Sequence, residues 1–188
     1  MFYFTRKQNQ MPKPKRYRLT SQKFFSPKEL EHIAELLEGE SVSERDKIYL
    51  RTLMETGARA SEILGLNAKS FLGDAIYIEG LKGSDSREVP ISKSLYQELK
   101  KLSEKDASGK GRPFPVTYQW VKKMWREVRP SSKGLHAFRH TFAVQLYRRT
   151  KDLKLIKTVL GHSSILNTMI YADFEYTKSE MRRLILTK

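Results

Sequence analysis

A single change of hydrophobic period constrains this chain most. Apolar residues recur at helical spacing through most of the sequence after Ser26, and the spacing breaks once, where two short β-rich runs, Ala75 to Glu79 and Arg87 to Ile91, flank Leu-Lys-Gly-Ser-Asp-Ser. Runs of that length around a polar, Gly-containing turn read as a β-hairpin. A further strand is expected near Ser70 to Leu72. Helices on both sides of one small antiparallel sheet define an α+β, mainly α-helical chain. Its 188 residues suit one well-packed domain, and no internal repeat divides them.

Ser26-Pro-Lys-Glu29 supplies an N-cap, a proline at the first helical position and a glutamate placed for a capping box. Leu30, Ile33, Ala34 and Leu37 then follow helical spacing, with Gly39 as the stop. A second helix is expected from about Ser43 to Gly57 and a third from Ala60 to Leu66. Ser92 caps another, ending near Ser103, before a charged loop from Glu104 to Pro115. The remaining helices are expected near 117–128, 136–149, 152–160, 164–171 and 174–186. Residues 1–25 are basic without a sustained apolar period and read as a flexible arm, leaving 26–188 as the folded domain.

Charge narrows the function classes. Thirty-six Lys and Arg against 21 Asp and Glu give a formal charge of +15, which points to a polyanionic partner, nucleic acid first. Without cysteine there is no disulfide, thiolate nucleophile or thiolate metal site. No apolar run approaches the roughly 20 residues of a membrane span, and the N-terminus lacks the apolar stretch of a secretory signal. The expectation is an intracellular, cytoplasmic protein with no membrane partner.

Four clusters carry chemistry. In Glu55-Thr-Gly-Ala-Arg-Ala-Ser-Glu62, Arg59 stands at a helix N-terminus, where the dipole disfavours a cation. It either shares an anion with the nearby amides or pairs with Glu62. Lys82 lies in the hairpin turn, either as a solvated charge or as a flexible ammonium able to reach a phosphate and release a proton. In His136-Ala-Phe-Arg-His140, His136 and Arg139 share the first turn of a helix and suit a phosphate clamp, while His140 reads as a buried or supporting histidine. In Leu160-Gly-His162-Ser-Ser, His162 precedes Tyr171 by nine residues, and Tyr171 is either a packed aromatic or a nucleophile. A metal held by His136, His140 and His162 finds no carboxylate at a convincing spacing. Two Arg, one Lys, two His and a Tyr instead form a metal-free set for phosphoryl transfer, with no cofactor expected. Lys122, Lys123, Arg126 and Arg129, beside Trp120 and Trp125, are candidate DNA contacts, the tryptophans otherwise being core.

In order and wording, T-G-A-R-A-S-E-I, G-L-K-G, H-A-F-R-H-T-F-A, L-G-H-S-S and N-T-M-I-Y resemble the catalytic domain of the tyrosine recombinases, the phage integrase family, over about residues 26–185. The resemblance implies that Arg59, Lys82, His136, Arg139 and His162 surround a scissile phosphate, that Tyr171 attacks it to leave a 3′-phosphotyrosine and a 5′-hydroxyl, and that Glu62 supports the arginines. It further implies double-stranded DNA as partner, a monomer in solution that forms a tetramer on DNA with the C-terminal helix docked on a neighbour, and accessory proteins that bend DNA or set direction. Type IB topoisomerases use similar chemistry, and a non-catalytic DNA-binding regulator could keep the scaffold. Most of the family carries a helical core-binding domain ahead of the catalytic one. Here about 25 basic residues precede Ser26, so the chain is either part of a longer protein or similar to the short fimbrial-switch recombinases. Met1 favours the second.

Overall fold

In the computed structural model the described residues are 19–81, 83–172, 182, 185 and 186. Helix α1 spans Pro27–Glu38. Ser26 and Glu29 form the expected reciprocal cap, Ser26 N–H donating to Glu29 Oε2 at 2.7 Å, and Pro27 opens the helix. Helix α2, Glu44–Thr56, is capped by Ser43 and ends at Gly57 in the left-handed conformation, φ 61°. A Cβ at Gly57 would run into the Phe142 ring, so the position requires glycine twice over. Helix α3 is only Ala60–Ile63, shorter than the sequence suggests. The chain turns at Gly65, whose N–H reaches back to Glu62 O, and Leu66 leaves the helix to enter the core.

Strands β1, Ala75–Ile78, and β2, Arg87–Pro90, pair antiparallel with Ile78 opposite Arg87 and Ala75 opposite Pro90. Of the extra strand expected at 70–72, one bridge exists, Phe71 to Ile76. Helix α4 is Lys93–Glu104, capped by Ser92, and α5 is Tyr118–Val128, capped by Thr117. Helix α6, His136–Thr150, is buried on nearly every side and packs along α2, which makes it the axis of the fold. Helix α7, Leu153–Leu160, is capped by Asp152 and ends at Gly161, φ 67°, and α8 is Leu166–Met169.

Two apolar clusters divide the interior. The larger joins α1, α2, the hairpin, α4, α5 and the start of α6, with Leu50, Leu53, Ile63, Ile76, Leu99 and Phe138 at its centre. The smaller joins the second half of α6 to α7 through Ala143, Val144, Ile156 and Leu160, and it includes Tyr171. Order begins before Ser26, a correction to the arm expected over 1–25. Leu19 and Phe24 are buried in the smaller cluster, Phe25 is buried in the larger, and Phe25 N–H donates to Thr141 Oγ1 at 2.8 Å. Three apolar residues within seven outweigh the basic character of the segment, because their burial favours docking while Lys23 stays partly in water. Residues 1–18 lie outside the described ones, as does most of the expected helix 174–186. Arg182, Ile185 and Leu186 of it are helical, with Ile185 and Leu186 exposed. Among the described residues no helix is long and apolar enough to cross a membrane.

Candidate active site

The site forms where α2, α3, α6 and α7 meet, and Arg139 lies at its centre. One of its N–H groups donates to Gly57 O, at 3.0 Å, and another to Leu160 O, at 2.8 Å. These carbonyls close the C-terminal ends of α2 and α7, where the helix dipoles are negative and favour a cation. Thr-Gly-Ala and Leu-Gly-His therefore have one structural meaning: each glycine turns left-handed and directs a terminal carbonyl at the same guanidinium. Only 1% of Arg139 is exposed. The open clamp expected from His136 and Arg139 is thus graded in depth, with His136 at the surface and Arg139 beneath it.

Of the two alternatives for Arg59, the pair with Glu62 is formed. Its Nη1 donates to Glu62 Oε1 at 2.9 Å, and its Nη1 also contacts Ser84 Oγ in the hairpin turn. Its side chain remains 31% exposed, and it lines a hollow of about 460 Å³ together with His136, Tyr118 and Ser61. Glu62 is buried and accepts on both oxygens, from Arg59 on Oε1 and, on Oε2, from the Arg59 backbone N–H at 2.9 Å and from Arg87 Nη2 at 2.8 Å. Burial pushes the Glu62 carboxyl upward, but the Arg87 hydrogen bond, the Arg59 amide and the nearby guanidinium charges together hold it below the ordinary range.

Arg87 is the residue that the sequence reading passed over. It is buried, and its Nε donates to Val159 O at 2.6 Å, so it ties β2 to α7 as well as to Glu62. The available signal was a charge at an inward strand position, since Arg87 and Val89 face the interior while Glu88 and Pro90 face out.

Lys82 lies outside the described residues, while its neighbours reach the site. Ser84 forms a bridge with His162, and Asp85 N–H donates to Gly161 O at 3.0 Å. His162 is buried, with Nδ1 held 2.8 Å from Thr168 Oγ1, and its ring lies parallel to that of Tyr171 at 6.5 Å between centroids. His140, also buried, places Nδ1 3.1 Å from the Tyr171 hydroxyl. The His136 and His140 rings meet edge to face at 4.6 Å. Desolvation by its neighbours first, then the charges of Arg139 and Arg59, push the His136 imidazole down to about 4 although the residue keeps an exposed edge, and the same causes bring buried His162 down to about 4. All the described members of the expected constellation therefore gather around the first turn of α6 and the end of α7. Among the described residues, no three His, Asp or Glu side chains are grouped so as to hold a metal ion.

The expected DNA-contact residues lie apart from this cluster, on α5 and just after it. Lys122, Lys123 and Arg126 are exposed, whereas Arg129 is half-buried and donates to Ser132 O. Trp125 is core, its indole N–H donating to Lys133 O at 2.9 Å. Trp120 is exposed, with the Arg45 guanidinium 4.6 Å above its ring.

Comparison with known proteins gives relatives for both the sequence and the fold. Tyrosine recombinase XerH of Campylobacter jejuni is 31% identical over 183 residues, covering 84% of this chain and 50% of that protein, so the chain spans about half the length of that relative. The fold is also that of a XerH recombinase solved with its difH substrate, with a TM-score of 0.68 at 24% identity, covering 89% of this chain and 54% of that one. The catalytic domain of bacteriophage HP1 integrase matches over 94% of its own length and 86% of this chain, at 27% identity and a TM-score of 0.63. Residues 23–178 match the phage integrase family, and this chain belongs to that family.

Proposed function

We propose that this chain breaks and rejoins DNA as the catalytic part of a site-specific tyrosine recombinase. The observation that carries the reading is the convergence of Arg59, His136, Arg139, His162 and Tyr171 around one helical turn, with the carboxylate of Glu62 already committed to two arginines. Arg59 and Arg139 neutralise the non-bridging oxygens of the scissile phosphate, and His136 and His162 donate hydrogen bonds to them. Glu62 and Arg87 hold Arg59 in place. Tyr171 Oη attacks phosphorus and releases its proton to solvent, the bond to the 5′-oxygen breaks, and Lys82 gives that oxygen a proton and is reprotonated from solvent. The products are a 3′-phosphotyrosine and a 5′-hydroxyl, which reverses the step on a partner duplex. Because one phosphoester is exchanged for another, no ATP or metal is required.

Double-stranded DNA inside the cell is the partner. The chain is a monomer in solution and forms a tetramer on DNA, with accessory proteins that bend the duplex or set direction. Lys122, Lys123, Arg126 and Arg129 contact the backbone, each removing about 0.9 from the slope of log affinity against log salt. The decisive experiment offers the full chain a nicked duplex from which the cleaved fragment escapes. A protein–DNA adduct that survives denaturation and disappears in Tyr171→Phe is expected. Binding without any Tyr171-dependent adduct would sink the enzyme reading and favour a DNA-binding regulator.

A further inference from the structure

The first turn of α6 carries His136 and Arg139 toward the phosphate and His140 toward the tyrosine. We infer that His140 is the positioning residue for the nucleophile, holding the Tyr171 hydroxyl in line for attack through its Nδ1. This rests on the reading of Tyr171 as the nucleophile.

Three observations carry it. First, the contact is 3.1 Å long and lies between groups only 5% and 3% exposed, so water competes little for either partner. Second, the backbone beneath Tyr171 is short. Helix α8 is a single turn, and Tyr171 follows it with its N–H donating to Thr168 O. Apolar packing in the cluster it shares with Leu19, Phe24 and Ala143 can hold the ring, but it does not discriminate among directions of the hydroxyl. A directional hydrogen bond does. Third, the His136 and His140 rings are in contact at 4.6 Å and 89°, so the residue facing the hollow and the residue holding the tyrosine move as one unit of a rigid helix. The same turn thereby sets the positions of electrophile and nucleophile, which is the geometric condition for a fast displacement.

Orientation, rather than removal of the phenolic proton, is the role. Burial, then the nearby His136 and the Arg139 and Lys23 charges, push His140 down to about 3, so it is a poor resting place for a proton. Neutral imidazole can serve in either tautomer, accepting from the phenol or donating to its oxygen.

The test measures single-turnover adduct formation on the nicked duplex at saturating DNA, together with DNA affinity and thermal melting, for the full chain. His140→Leu keeps the volume and loses the polar atom. It is expected to form adduct about 10- to 100-fold more slowly with unchanged DNA affinity. His140→Asn places a polar atom near the Nδ1 position and should recover most of the rate, whereas His140→Gln, whose amide reaches the Nε2 position, should not. The Asn-over-Gln order holds the proposal to account even where the Leu variant melts early. A Leu variant as fast as wild type, or Asn and Gln variants of equal rate, would overturn it. So would an Asn variant that stays slow and loses the acid limb of the wild-type pH profile, because His140 would then be the base. Absence of adduct in the wild type would instead remove the nucleophile reading on which this one stands.

Discussion

The two apolar clusters border the two sides of the proposed site and are built differently. The larger one anchors Arg59 through α2, α3 and the hairpin, and it is reinforced by the buried Glu62–Arg87 pair, which crosses from α3 to β2 and on to Val159 of α7. The smaller one includes Tyr171, which follows a one-turn helix, and has Leu19 and Phe24 from the start of the described chain as further members. The arginines proposed to hold the phosphate are fastened by charge and several elements. The proposed nucleophile sits in apolar packing after a single helical turn, with a hydrogen bond to His140.

The largest effect should come from Lys82, the proposed general acid, which lies outside the described residues. Lys82→Ala is expected to slow cleavage of ordinary DNA by about 10²- to 10⁴-fold. A substrate with sulfur in place of the 5′-bridging oxygen should restore that variant, because thiolate leaves without a proton, and should leave Arg59→Ala and Arg139→Ala impaired. Lack of selective rescue would mean that Lys82 acts by charge or placement instead. Next, Arg87→Met leaves Glu62 buried beside a single remaining guanidinium. It should cost about 3 kcal/mol in urea unfolding, and Arg87→Met combined with Glu62→Gln should regain part of that. If the double variant is no better than the single, the pair is not what joins hairpin to helix.

Phe24→Ala enlarges the smaller cluster and is expected to cost about 2 kcal/mol, with a loss of adduct rate out of proportion to any loss of DNA affinity. Equal effects on both would place Phe24 outside the tyrosine's support. The smallest effect is in pH. His136, His140 and His162 are all depressed in the folded chain by burial and by arginine charge, whereas the unfolded chain titrates them near their ordinary value. The unfolded state therefore takes up protons first as pH falls below about 6.5. Stability should decline from there toward about pH 4, on the order of 1 kcal/mol for each histidine after screening. His140→Asn should flatten that decline by its own share, and a flat wild-type curve over this range would show that the histidines are better solvated than their packing implies.

Helix starts and the hairpin were legible because their causes are local. Ser26-Pro-Lys-Glu29, Ser43 and Ser92 cap the helices they announce, and the β-rich runs pair in register around their polar turn. The motif set was legible for the same reason, since each motif is a helix end or a turn with reactive residues at fixed offsets. Helix lengths after Arg59 and Ser164 were not, because where α3 and α8 stop depends on which residues the core accepts.

The sequence by itself determined where most of the described elements start, and it offered two arginines, a lysine, histidines and a tyrosine as the candidate reactive set. Only the tertiary structure decided how they are held. Arg139 is aimed by carbonyls 82 and 21 residues away, Glu62 is claimed by Arg87 from a strand 25 residues on, and Tyr171 is met by His140 from 31 residues earlier. The chain segment read as a flexible arm joins, through Leu19 and Phe24, the cluster that includes the tyrosine and, through Phe25, the larger one. Capping and turn chemistry act over a few residues and leave a signature in order and spacing. Burial and hydrogen bonding between distant elements depend on which surfaces the folded chain brings together, and no local pattern encodes that.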